Sequence, residues 1–161
     1  MNAEVDSVAG RQPMPGTRLR AMTYADLPRV LAIEQASYPF PWSDGVFRDC
    51  IRVGYVCRVL ELRGELIGYA LMSVGAGEAH VLNVCVRMDC RDRGLGRCLI
   101  GMLIEHARGA LASDIFLEVR PSNPAAIHLY QSIGFQRIGV RKGYYQASPG
   151  REDAWVYKLS L

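Results

Sequence analysis

VCVRMDCRDRGLGR, residues 84–97, passes from an apolar strand through a short polar loop into the start of a helix. The first four amides of a helix lack an internal partner, and that end carries a partial positive charge. Glycines at 94 and 96 let a bulky anion approach those amides, where a β-carbon would intervene. Arg93 and Arg97 add full charges nearby. Such a cradle suits a pyrophosphate. A Gly-x-Gly after a strand is also an ordinary tight turn, so this stretch taken by itself leaves both readings open.

Downstream, RCLIGMLIEHARGAL (97–111) repeats Leu99, Met102, Leu103 and His106 at helical spacing. DIFLEV (114–119) reads as a strand and PAAIHLYQSI (124–133) as a helix, with Asn123 at its N-cap, Pro124 at its first position and Gly134 just beyond its end. FQRIGV (135–140) and AWVYKL (154–159) read as closing strands. Upstream, AHVLNVCV (79–86) follows the turn Gly75-Ala-Gly77. YVCRVLEL meets ELIGYALMSV across Arg63-Gly64 as a hairpin. Ser43 can cap a short helix through about Cys50. Tyr38-Pro-Phe-Pro-Trp42 is a loop, since its two prolines break any ladder or helix. Thr23-x-x-Asp26 resembles a capping box opening a helix with Leu27, Val30, Leu31 and Ile33 on one face. TRLRAM (17–22) reads as the first strand. This order implies an α/β protein with a mixed sheet covered by helices, its ligand bound beyond the carboxyl ends of strands.

The 161 residues suit one domain over 17–161. Residues 1–16 hold Gly10, Pro13, Pro15 and Gly16 but no apolar block, so they read as a flexible tail and not as a signal peptide. A formal charge of +3 with scattered arginines falls short of the basic face of a dedicated nucleic-acid binder. No apolar run approaches the roughly 18 residues of a membrane span. Cys50, Cys57, Cys85, Cys90 and Cys98 form no C-x-x-C pair and take no zinc-ligand spacing with His80, His106 or His128. No metal is expected, and reduced thiols point to the cytoplasm.

Two side chains stand out in the second half. Glu118 lies in a strand with apolar residues on both faces, where burying a carboxylate costs several kcal/mol unless it is paired. It is either solvated at the strand tip or held for chemistry as a general base. Tyr130 sits between Ile127 and Ile133 at helical spacing, either as a packed core tyrosine or as a phenol aimed at a leaving group.

Together these segments resemble the GNAT superfamily of acetyltransferases, and within it the RimI group of ribosomal-protein-alanine N-acetyltransferases. The match rests on Ile33-Glu34-Gln35 with Phe40-Pro-Trp-Ser43, and on Asn83-Val-Cys-Val86 running into Arg91-x-x-Gly94-x-Gly96-Arg97. Its longest part is Leu117-Glu-Val-Arg-x-Ser-Asn123, Ala126-Ile-x-Leu-Tyr130, Gly134-Phe135, Tyr144-Tyr145 and Gly150-Arg-Glu-Asp-Ala154. The resemblance implies a GNAT fold, a mixed twisted sheet of about seven strands with about four helices. It implies acetyl-CoA as donor, held by Asp92, Arg93, Gly94, Leu95, Gly96 and Arg97 at the pyrophosphate. Val84, Cys85 and Val86 in a bulged strand would hold the pantetheine arm, and Asn123 would also contact the cofactor. Glu118 matches the general base and Tyr130 the general acid. Phe40, Trp42, Tyr144 and Tyr145 match loops flanking an incoming peptide end. Asp92 stands where relatives often carry Arg, which should weaken cofactor binding only modestly if the contact is through the backbone.

The expected reaction is acetylation of a protein N-terminus, most simply that of a ribosomal protein, by a monomer without direct nucleic-acid or membrane binding. A protein α-amino group near pKa 7.7–8 is far easier to deprotonate at pH 7 than a lysine near 10.4, so one Glu is adequate. Competing readings are a GNAT enzyme for lysines or small amines and a non-catalytic acyl-CoA-binding module. A Rossmann-type domain would carry its glycine loop after the first strand, and here the loop follows the fourth.

Overall fold

The computed structural model describes residues 14–161, so most of the expected tail, residues 1–13, lies outside the described residues. Met14 accepts hydrogen bonds from both the amide and the hydroxyl of Thr17, and the Gly16 carbonyl accepts from Arg63 N at 2.9 Å. The chain runs β1 (Thr17–Ala21), α1 (Leu27–Ser37), α2 (Asp44–Arg52), β2 (Val56–Leu62), β3 (Glu65–Gly75), β4 (Glu78–Val86), α3 (Leu95–Gly109), β5 (Asp114–Val119), α4 (Pro124–Ile133), β6 (Gln136–Gln146) and β7 (Arg151–Ser160). The strands form one seven-stranded sheet ordered β1-β2-β3-β4-β5-β7-β6.

Local chemistry sets these boundaries. The Thr23 amide donates to the Asp26 carboxylate at 2.8 Å, and the helical turn this closes leads into α1. The Ser43 hydroxyl accepts from Val46 N at the start of α2. In the β2–β3 turn Arg63 and Gly64 take φ of 51° and 82°, and in the β3–β4 turn Ala76 and Gly77 take 52° and 77°. Two consecutive left-handed residues match the twist of a tight hairpin. β4 and β5 are parallel and need a crossover, which α3 supplies.

Helices α3 and α4 cover one face. Leu99, Ile100 and Leu103 pack there with Ile115, Leu117 and Val119 of β5. Helices α1 and α2 cover part of the other, with Leu27, Val30 and Phe47 against Val59, Tyr69 and Leu71. Phe116 and Glu118 alternate with the buried β5 residues and so point to the α1–α2 side.

Two irregularities shape the site. Parallel pairing of β4 with β5 comprises Glu78–Asp114, Ala79–Ile115 and His80–Phe116, after which the strands diverge. Leu71 pairs with Asn83 and Met72 with Val81, so Leu82 is an extra residue that bulges β4 just ahead of Val84. A slot opens between Val84–Val86 and the end of β5. The second irregularity corrects the sequence reading of Tyr144 and Tyr145. They lie in strand β6, which runs six residues past the expected end at 140. Register shifts at 137–139 and 141–145 leave Ile138 and the stretch around Gly143 without direct partners, as bulges within a continuous strand. Among the described residues, no helix is long and apolar enough to cross a membrane.

Candidate active site

The loop after β4 ends in two left-handed turns. Asp92 has φ 61° and Gly94, the N-cap of α3, has φ 79°. Residues 91–94 are exposed, and the first intrahelical bond of α3 is Cys98 N to Gly94 O at 3.1 Å. The amides of Leu95, Gly96 and Arg97 therefore precede the helical ladder and are available to an anion. The flanking arginines differ in what they do. Arg91 donates to Val86 O at 2.9 Å and to the Ser37 hydroxyl at 3.3 Å, tying the end of β4 to the end of α1. Arg97 donates to the Ser132 hydroxyl at 2.5 Å, tying α3 to α4. Gly96 serves that same contact, since a β-carbon there would sit 3.2 Å from Leu129 Cδ2. Arg93 is exposed at the rim.

One wall of the slot is Val84-Cys85-Val86. The Tyr38 hydroxyl donates to Val84 O at 3.2 Å, and the Cys85 thiol donates to the Ser37 hydroxyl at 3.3 Å. Tyr130 enters from α4, its ring 5.8 Å from that of Phe135. Burial, assisted by the nearby Cys85 thiol, pushes its phenol up to about 12. Its ring packs with the α3–α4 core while Cys85 belongs to the α1–α2 core. Tyr130 thus packs on the α3–α4 side of the sheet, with Cys85 of β4 close enough to act on its phenol. Asn123 caps α4, its Oδ1 accepting from Ala126 N at 3.2 Å, which leaves the amide nitrogen as the end able to meet a ligand.

Glu118 has only 6% of its side chain exposed. His80 Nε2 is 2.5 Å from Oε2, and Arg141 Nε is 3.1 Å from Oε1. The carboxylate opens onto a cleft of about 550 Å³ whose lining includes Tyr55, Ser73, His80, Phe116 and Arg141. Burial raises the Tyr145 phenol, and the charges of Glu118 and Tyr130 both add to that rise. The Arg120 guanidinium lies 4.3 Å over the Tyr145 ring and is itself held by Glu152 at 3.1 Å. Tyr144 packs edge-on to Tyr145 at 4.9 Å, and burial with the Glu118 charge raises its phenol as well.

Phe40 and Trp42 lie in the expected loop between α1 and α2. Trp42 turns inward, 5.2 Å from the Phe47 ring, and its amide donates to Glu34 Oε1 at 3.1 Å. Phe40 is exposed. The residues missed by sequence reasoning are the partners: His80 and Arg141 for Glu118, and Tyr38 and Glu34 for the slot. A lone histidine in AHVLNVCV, alternating with buried Ala79 and Val81, was the available signal for His80. Arg141 lies on a strand two places away in the sheet from β5 and gave none. Among the described residues, no three His, Cys, Asp or Glu side chains converge as a metal site.

The profile of the acetyltransferase (GNAT) family matches residues 27–135. The [ribosomal protein bS18]-alanine N-acetyltransferase of Escherichia coli K12 is 36% identical over 143 residues, covering 89% of this chain and 97% of that protein. The enzyme of the same name from Salmonella typhimurium is 36% identical over 140 residues, covering 87% and 95%. The crystal structure of the Escherichia coli ribosomal-protein-S18-alanine N-acetyltransferase superimposes with a TM-score of 0.84 at 35% identity, over 90% of this chain and 94% of that one.

Proposed function

The chain belongs to the acetyltransferase (GNAT) family, and we propose that it transfers the acetyl group of acetyl-CoA to the N-terminal α-amine of a protein, the N-terminal alanine of ribosomal protein S18 foremost. The observation that carries the reading is Glu118, a nearly buried carboxylate held by two donors at the inner end of an open cleft, beside the point where the sheet parts. The resemblance in sequence and structure to S18-alanine N-acetyltransferases supports the choice of acceptor.

Acetyl-CoA supplies an activated acyl carbon with a thiolate leaving group. The amides of residues 92–97 bind its diphosphate at the start of α3, with Asn123 Nδ2 as a further donor. Val84 and Val86, on either side of Cys85 and freed from β5 by the divergence of the strands, offer backbone amides to the pantetheine arm and to the acyl oxygen. Glu118 removes a proton from the incoming ammonium, directly or through one water. Tyr130 retains its proton near neutrality and returns it to the departing sulfur, whose ordinary pKa is about 8.5. Exposed Phe40 and Tyr144, with Tyr145 beside Tyr144, meet the peptide end, and Trp42 supports the Phe40 loop by packing on Phe47.

The test offers two peptides with labelled acetyl-CoA. One is the S18 amino-terminal sequence with a free α-amine; the other has that amine blocked and carries a lysine. Mass spectrometry locates the label. Acetylation of the terminal alanine, at least about 100-fold faster than of the lysine, is expected. Preferential lysine labelling would overturn the acceptor assignment.

A further inference from the structure

We propose that His80 is a positioning residue for Glu118, a hydrogen-bond donor that fixes the carboxylate toward the acceptor cleft. The inference rests on the role assigned to Glu118 above. An ionised carboxylate only accepts, so the 2.5 Å contact requires the hydrogen on Nε2.

A glutamate held at one oxygen can still swing about its terminal bond. His80 on β4 takes Oε2 and Arg141 on β6 takes Oε1, so two donors on different strands fix the plane. Each oxygen has two acceptor sites, which leaves one on each for the acceptor amine or its water. His80 also stands in the last β4–β5 pair before the strands separate. Its ring therefore ties the base on one side of the opening to β4, the strand that forms the slot wall. The other ionisable groups of this cleft are Glu78 on β4, Arg141 on β6 and Tyr55 after α2, with Tyr144 adjacent to Glu118.

The experiment measures kcat, and KM for both substrates, with the S18-type peptide and the full chain carrying His80→Phe, His80→Gln or His80→Asn, beside Glu118→Gln. His80→Phe removes the donor and should lower kcat roughly 10-fold with KM for acetyl-CoA unchanged. His80→Gln, which can still reach and donate, should keep more than about half of wild-type kcat, while the shorter His80→Asn should resemble His80→Phe. Melting temperatures within about 2 °C of wild type separate positioning from folding. If His80→Phe does not fold, the contrast between Gln and Asn decides alone. Wild-type kcat in His80→Phe or His80→Asn with Glu118→Gln inactive overturns the role of His80 and leaves that of Glu118 standing. Full activity in Glu118→Gln overturns both, and a Gln variant as slow as the Asn variant overturns the hydrogen bond as the cause.

Discussion

The Glu34 carboxylate on α1 and the Asn83 amide on β4 meet at 3.1 Å, 49 residues apart in the chain. Glu34 is only 2% exposed, and the Tyr69 hydroxyl and the Trp42 amide donate to it as well. One buried side chain thereby fastens the loop bearing Phe40 and Trp42 to the strand that walls the slot.

Glu34→Leu should lower stability by about 2–4 kcal/mol, because three donors lose their acceptor in the interior. Urea denaturation measures it. A change below about 0.5 kcal/mol would mean that water or rearrangement satisfies those donors without cost.

Glu118→Gln should lower kcat at pH 7 by about 100-fold or more, with acetyl-CoA binding preserved. The deficit should shrink at pH 9, where most of an α-amine with pKa near 8 is already the free base. A pH-independent deficit would point to a structural role instead.

Tyr130→Phe should leave the fold intact and slow turnover roughly 10-fold. Burial holds this phenol at about 12, so wild-type kcat should show no alkaline fall from it below about pH 10. Wild-type turnover in the variant would return Tyr130 to the core-packing role that its flanking isoleucines suggest.

Arg20, through paired hydrogen bonds of 2.8 Å, holds the Asp26 carboxyl at about 2, below its ordinary 3.8. A depressed folded value stabilises above the unfolded pKa and is lost as pH falls through the folded one. Asp26→Asn should therefore melt about 3 °C or more below wild type at pH 7, with the gap closing between pH 4 and 2. A gap that stays constant over that range would exclude Asp26 ionisation as its origin.

Local chemistry was legible in the sequence. Asn123, Pro124 and Gly134 framed α4 to the residue, and Arg63-Gly64 fixed its hairpin, because caps and turns depend on neighbours in the chain. The end of β6 was not legible, since the residues past Val140 join the strand only with β7 alongside to accept the register shift between Arg141 and Tyr145. Glu118 could be singled out by the cost of burying its charge. What satisfies that charge could not, since His80 and Arg141 stand 38 residues before and 23 after it and converge only through the sheet order. In the loop matched to the peptide entrance, Trp42 packs its ring against Phe47 while Phe40 stays exposed. A loop sequence does not encode which of two aromatic rings turns inward.

Only three residue pairs join β4 to β5, so the sheet is two leaves stitched along one short seam. A pantetheine chain lying in the notch beyond that seam would bond to backbone that neither leaf supplies to the other, and so act as a rivet between them. The unliganded protein should therefore breathe first at Val84–Val86, with amide exchange there slowing sharply when CoA is added. Donor binding would then stiffen the same wall against which the acceptor must be aligned, which favours an order of addition with the thioester first.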